Sequence, residues 1–257
     1  MKKKIIFMML ILSMGIFAKP IKVTVYCDDG YQPYSYAENG EVKGIYTDIF
    51  KKVFERLEGY DVTIKAVPWK RGINNLKTGR GFALYPPYYR PKERPYIDCS
   101  TLVLQEELTV FLNKKVMYKS RNNWPKDYIG LTIGINSGFA LLNEEEKKVG
   151  IKIEEAKNNK QNILKLAYGR IDGYVNDRIS VLWKIKQMQE KFEITTGLAS
   201  NIVEGASMRI ENGYLGYTNK DNGKFHYKKD FKEKVDKILE EMKSNGEIEK
   251  IVKKYTE

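Results

Sequence analysis

A strand–helix–strand–helix–strand order, met twice in one chain, restricts this sequence to α/β architecture. Val23 to Cys27 alternates β-formers and predicts a strand. Ile45, Ile49, Val53, Phe54 and Leu57 recur at helical spacing and predict a helix over about 46–57. Val62, Ile64 and Ala66 alternate as a second strand, a helix follows from Trp69 to Gly79, and Phe82 to Tyr85 is a third strand. After an irregular, Pro-, Tyr- and Arg-rich stretch over 86–103, Leu108 to Leu112 is an apolar strand and a second series begins. Its strands are expected at Ile133–Ile135, Ile151–Ile153 and Tyr174–Val175. Its helices are expected over Gly138–Lys148, around Ile163–Leu166 and around Ile179–Met188. Phe192–Thr195 and Leu215–Thr218 read as strands, Phe231–Lys243 as a helix closed at Asn245-Gly246, and Ile248–Tyr255 as a last short helix. Alternation of this kind builds a parallel sheet covered by helices. Two such series without a low-complexity linker predict two lobes with a tight hinge and a cleft between them.

The first 18 residues address the chain rather than fold it. Lys2, Lys3 and Lys4 precede an apolar run from Ile5 to Phe17, and Ala18 is a small residue at the expected cut. Spanning a bilayer takes about 20 apolar residues, so this run is read as a cleaved signal peptide, with an uncleaved anchor as the alternative. Lys19, not cysteine, follows the small residue, which argues against a lipoprotein. We therefore expect a periplasmic, unanchored protein. Cleavage removes three of the 45 basic residues and leaves 42 against 33 acidic ones, a net charge of +9 instead of +12. The basic residues are scattered among Glu and Asp, and the compartment is wrong for a nucleic-acid partner. One histidine and two cysteines argue against a metal site and a disulfide scaffold. A Cys27–Cys99 disulfide and two buried free thiols both remain open.

In open α/β sheets, ligands bind at the carboxyl ends of the strands. The loops at those ends are Tyr31–Tyr36, Trp69, Pro86–Arg94, Ser137–Phe139 and Asn176-Asp177. Six segments, in order and with fitting spacing, then resemble solute-binding proteins of the polar-amino-acid type (family 3), which serve ABC importers. They are Val23–Tyr36 with Gly40–Ile49; Trp69-Lys70-Arg71 through Gly79; Pro91–Arg94 with Asp98-Cys99-Ser100; Ile133–Gly138; Gly169–Asp172 with Asp177; and Met242–Ile248 with Lys254-Tyr255. The resemblance covers about Ile21 to Tyr255. It implies a type II periplasmic-binding-protein fold, each lobe a mostly parallel sheet flanked by helices, with two crossing segments. Lobe 1 would comprise 19–103 and 211–257, and lobe 2 would comprise 104–210.

The resemblance also implies a site. Arg94 would take the α-carboxylate of an amino acid or related small polar solute through its planar fork, and Asp177 the α-ammonium. As plain residues, Arg94 could be a solvated loop arginine and Asp177 an N-cap. Ser137, Gly138 and Phe139 open a helix, where free N–H groups favour an anion or simply cap. Tyr31 and Trp69 would sandwich the solute. Pro86-Pro87-Tyr88-Tyr89-Arg90 stands where the family has small residues, so Tyr88 and Tyr89 are expected to reshape the pocket, with Arg71 as a further cation. The implied partner is an ABC permease, and the chain is expected to be a monomer without a cofactor or metal. The rival reading is an enzyme on this scaffold, similar to cyclohexadienyl dehydratase, with Glu38, Glu106 or Asp177 as its acid or base. No nucleophile–base pair or metal cluster supports it, and a binding protein is the expectation.

Overall fold

The computed structural model describes residues 19–137, 142 and 144–256. Along the chain run β1 (Ile21–Asp28), β2 (Gly30–Tyr31), β3 (Ser35–Glu38), β4 (Glu41–Lys43), α1 (Ile45–Glu55), β5 (Tyr60–Val67), α2 (Trp69–Lys77), β6 (Ala83–Tyr85) and β7 (Ile97–Cys99). There follow β8 (Leu104–Asn113), β9 (Thr132–Asn136), α3 (Glu144–Lys148), β10 (Lys152–Ala156), α4 (Asn159–Ala167), β11 (Gly173–Asp177), α5 (Arg178–Glu190), α6 (Thr196–Ala199), β12 (Ile202–Gly213), β13 (Gly216–Thr218), α7 (Lys228–Ser244) and α8 (Glu247–Thr256).

Two five-stranded sheets result, ordered β5-β1-β6-β13-β7 and β10-β9-β11-β8-β12. In each, three neighbouring strands run parallel, the next (β13 or β8) pairs antiparallel with them, and the edge strand (β7 or β12) pairs antiparallel with that one. The parallel part follows from the helical crossovers, which carry the chain back to start each strand at the same end. The antiparallel part comes from the two places where the chain changes sheets. It leaves the first sheet after Cys99, enters the second as β8, and returns along β12, paired antiparallel to β8 from Leu104 opposite Gly213 onward. The carboxyl ends of β1, β6, β9 and β11 and the root of β8 therefore converge on the space between the sheets.

The main core lies against the first sheet. Val25 and Cys27 of β1, Ile49 and Phe50 of α1, and Phe231, Val235 and Leu239 of α7 are all buried there. The alternating burial of β1 and the helical spacing in α1 and α7 explain why the apolar residues are distributed as they are. Two smaller clusters cover the faces of the second sheet, one around Val110 and Ile133, the other around Phe111, Ile163 and Val181.

The structure departs from the sequence reading at three places. Tyr31–Tyr36 is not a plain loop; it belongs to a three-stranded sheet, β2-β3-β4, turned at Asn39-Gly40. Phe192–Thr195 is not a strand: Phe192 has φ 57° and is almost fully exposed, and Thr195 caps α6 by accepting a hydrogen bond from Leu198 N. The 12-residue β12 has no clean alternation, because its register against β8 shifts between Glu204 and Ser207 and again before Arg209. Of the two alternatives left open for Cys27 and Cys99, the structure has free thiols, Cys27 buried and Cys99 half-buried, each pushed up to about 11 chiefly by burial. They sit on strands separated by β6 and β13, three strand spacings or about 14 Å apart, well beyond disulfide reach. The expected signal segment and the start of the helix expected from Gly138 lie outside the described residues.

Candidate functional site

Glu106 is the buried centre of the space between the sheets. It stands at the root of β8, opposite Glu211 of β12, and is fully buried. Three tyrosines reach it from separate segments. Tyr46 of α1 donates to Oε1 at 2.6 Å, and Tyr88 donates to Oε2 at 2.7 Å. Tyr31 of β2 donates to Oε2 as well, and its hydroxyl lies 2.9 Å from that of Tyr88. The approach of Tyr46 depends on Gly213 at the end of β12. A Cβ there would overlap the Tyr46 hydroxyl and come within 3.0 Å of Glu106 Oε1.

Asp177 lies at the tip of β11 and is equally buried. Its Oδ1 accepts from Ser180 N and caps α5, while its Oδ2 accepts from Tyr34 Oη at 3.0 Å. The ring of Tyr34 stacks on Tyr31 with centroids 5.0 Å apart. A second bond crosses between the sheets beside it: Ser180 Oγ donates to the Gln32 carbonyl at 2.5 Å. Tyr36 and Trp183 also meet there, with centroids 6.1 Å apart, and Ile179 of α5 packs on the core of the first sheet. The start of α5 thus docks on the Gln32–Tyr36 segment.

Behind Ser180 runs a chain of amides within the second sheet. Asn159 Nδ2 donates to Ser180 Oγ at 3.1 Å, and Asn159 Oδ1 accepts from Asn136 and Asn176. Asn162 donates to Asn136 Oδ1, and Tyr174 donates within the same group. The network holds the carboxyl ends of β9 and β11 together.

Burial governs the electrostatics. It pushes the Glu106 carboxyl up, against the pull of the three tyrosine hydroxyls. It pushes Asp177 well above the usual carboxylate range, and the charge of Glu106 adds to that. Asp28, at the end of β1, is raised to about 6, also chiefly by burial. In the folded, solute-free protein each of these carboxyls therefore releases its proton at a higher pH than in the unfolded chain, and a bound cation would favour the ionised forms of Glu106 and Asp177. The stability of the solute-free protein is therefore expected to fall as pH rises from about 4 through about 6, the interval set by Asp28, with the raised Glu106 and Asp177 acting in the same direction. Carboxyls that are lowered on folding, such as Asp221 and Asp230, act in the opposite sense, but mainly below about pH 4.5. A thermal midpoint that climbs steadily over the upper interval would contradict this assignment.

The residues expected from the sequence divide into three groups. Tyr31, Tyr88 and Asp177 are brought together around Glu106. Arg94 and Trp69 form a second pair: the guanidinium lies 5.5 Å from the indole centroid, is half-buried, and has no carboxylate partner among the described residues. Burial, and then Arg90, lower its pKa from the ordinary arginine value. The others stand apart. Tyr89 is 61% exposed, with its ring edge-on to Tyr214, so it stands outside the buried space it was expected to reshape. Arg71 is exposed on the first turn of α2. The Ser137 N–H is already bonded to the Ala156 carbonyl at 2.9 Å and is not free for an anion; Gly138 and Phe139 lie outside the described residues. Arg90 is tied to Glu211 at 3.0 Å. Tyr34, Tyr46 and Ser180 were not anticipated as site residues, since Tyr46 reads only as one apolar position of an amphipathic helix.

Residues 23–257 match the bacterial extracellular solute-binding proteins, family 3. The chain belongs to this family. Among characterised relatives, it is 23% identical over 232 residues to the probable amino-acid-binding protein YxeM of Bacillus subtilis (strain 168), covering 87% of this chain and 79% of that protein. Among solved structures, an ancestral cationic amino acid solute-binding protein, AncCDT-1, is 18% identical with a TM-score of 0.70, covering 92% of this chain and 96% of that one. A structure describing glutathione import via GshT and the cystine importer TcyBC of Streptococcus mutans is 20% identical with a TM-score of 0.69, covering 92% and 95%. These structural likenesses establish the type II periplasmic-binding-protein fold for this solute-binding protein. In its two-sheet frame, Glu106 and Asp177 occupy the interior between the sheets. Among the described residues, no helix is long and apolar enough to cross a membrane.

Proposed function

We propose that the protein captures an amino acid or related small polar solute between two closing lobes outside the cytoplasm and delivers it to an ABC importer. One observation carries this: among the described residues, Asp177 is buried between the sheets with only hydroxyl and amide donors, and Arg94 is half-buried with no carboxylate partner. Each charge lacks the counter-ion that a zwitterion would supply. In this reading Arg94 takes the carboxylate as a forked pair and Asp177 takes the ammonium. Tyr31 and Trp69 flank the side chain, and residues 19–103 with 211–257 close on residues 104–210. Relatives named for amino-acid binding support the solute class, and the family description supports an extracytoplasmic location. A bound solute that bridges the lobes favours the closed form by its differential affinity.

The test is a thermal-shift screen of the amino acids with the purified mature protein, followed by titration calorimetry of any hit. A solute at 100 times its Kd raises stability by about 2.7 kcal/mol. Arg94→Ala and Asp177→Ala are each expected to weaken binding by about 2–5 kcal/mol, the loss typical when one partner of a buried charge pair is removed. A hit whose affinity survives both substitutions would remove these roles. Consumption of the hit over time would instead show an enzyme.

A further inference from the structure

Glu106 is the most deeply buried charge-bearing group in the molecule that the zwitterion reading leaves without a task. Its surroundings are built rather than incidental. Three tyrosine hydroxyls converge on it from β2, α1 and the Pro86–Tyr88 segment. All three can donate, and a carboxylate has about four acceptor positions, so the hydroxyls favour the ionised form against the burial that opposes it and leave about one position open. The chain omits a side chain at Gly213 where one would displace Tyr46. Among the described residues no lysine or arginine bonds to Glu106, while neighbouring Glu211 has both Arg90 and Arg209. Tyr34 packs on the rings of Tyr31 and Tyr46, so aromatic groups, which attract ammonium and guanidinium cations, surround the carboxyl.

We propose that Glu106 is the specificity-determining residue of the cleft: fixed by Tyr31, Tyr46 and Tyr88, it sets a second buried negative charge beside Asp177 and selects a solute with one more positive than negative charge. This rests on the reading above, in which Arg94 and Asp177 together match a zwitterion. With Arg94 contributing one positive charge and the two carboxylates two negative ones, the remaining complement is a cationic group on the side chain. A neutral side chain would leave the Glu106 charge buried without a counter-ion, which is costly in a water-excluded space. Glu106 acts partly through the tyrosines and so is also a positioning residue. Its effect should appear in the discrimination between solutes of different charge, beyond any general loss of binding.

Two solute pairs of matched shape separate charge from fit: L-arginine with L-citrulline, and L-lysine with L-norleucine. Calorimetry on the mature protein is expected to show the cationic member binding at least tenfold more tightly in one or both pairs. Glu106→Gln keeps the shape and is expected to reduce that preference by at least tenfold. If this variant does not fold, the wild-type preference measured against pH serves instead. It should shrink as the pH falls and Glu106 and Asp177 take up protons, with Tyr31, Tyr34, Tyr46, Tyr88, Glu107 and Glu211 as the other titratable groups facing them. Equal or tighter binding of the neutral members would overturn the role of Glu106 while leaving the amino-acid reading intact. So would a Glu106→Gln variant that weakens both members of a pair equally. Binding of putrescine but of no amino acid would retain the charge selection and remove the amino-acid reading. Binding of none of the five probes would remove both.

Discussion

Gly44→Ala is expected to destabilise the protein by about 3–5 kcal/mol, combining backbone strain with overpacking. Gly44 precedes α1 at φ 116° and ψ 170°, a conformation that residues with a Cβ rarely adopt. An added Cβ would stand 2.6 Å from the Tyr34 carbonyl oxygen and 2.7 Å from that of Pro33. Neither obstacle is a side chain that can swing away. Those same two carbonyls receive the first free N–H groups of α1, from Ile45 at 3.0 Å and Tyr46 at 2.9 Å. Pushing them aside would uncap the helix and shift Tyr34 from Asp177 and Tyr46 from Glu106. The urea midpoint and the affinity for any solute should therefore fall together. Gly30→Ala is the matched control, because a Cβ there meets nothing within 4 Å, and its effect should stay within about 0.5 kcal/mol. A Gly44→Ala protein with an unchanged midpoint would show that the Pro33–Tyr34 segment yields freely.

Phe231→Ala is expected to remove about 3–5 kcal/mol, the usual loss for a fully buried phenylalanine. Its ring is the hub of an aromatic cluster that ties α7 to the first sheet. It meets Tyr60 at 5.0 Å and Phe82 at 5.1 Å edge-on, with Phe54, Tyr217 and Tyr227 at 6.2–6.5 Å. Edge-to-face pairs contribute about 0.5–1.5 kcal/mol beyond area burial, so leucine would refill the volume without restoring them. Chemical denaturation should rank wild type above Phe231→Leu and both above Phe231→Ala. A loss below about 1 kcal/mol for the alanine variant would mean that α7 packs on the sheet without depending on this ring. Solute preference should change little, because the rings of Phe54, Phe50 and Tyr85 stand between Phe231 and Tyr46.

These two residues also show how unevenly the structure can be read from the chain. Gly44 was legible as part of a family-like turn, and Phe231 as the apolar face of a helix, because both obey local rules. The long strand β12 was missed because its bulged pairing with β8 destroys the two-residue period that reveals strands. The turn at Phe192 was misread because an apolar, β-prone composition says nothing about whether a partner strand exists.

The sequence by itself determined the order of strands and helices, the two-sheet α/β frame, the family, and Asp177 and Arg94 as charges worth placing. Those follow from periodicities and motifs carried by residues close together in the chain. Only the tertiary structure decided that Glu106, not Tyr89 or Arg71, stands at the centre of the cleft. Tyr31, Tyr46, Tyr88 and Glu106 span 75 residues, and nothing local records that their hydroxyls meet on one carboxylate. Burial and proximity are properties of the packed whole, and they turn a glutamate that the sequence offers only as one of three possible acids or bases into a charge that must find a counter-ion.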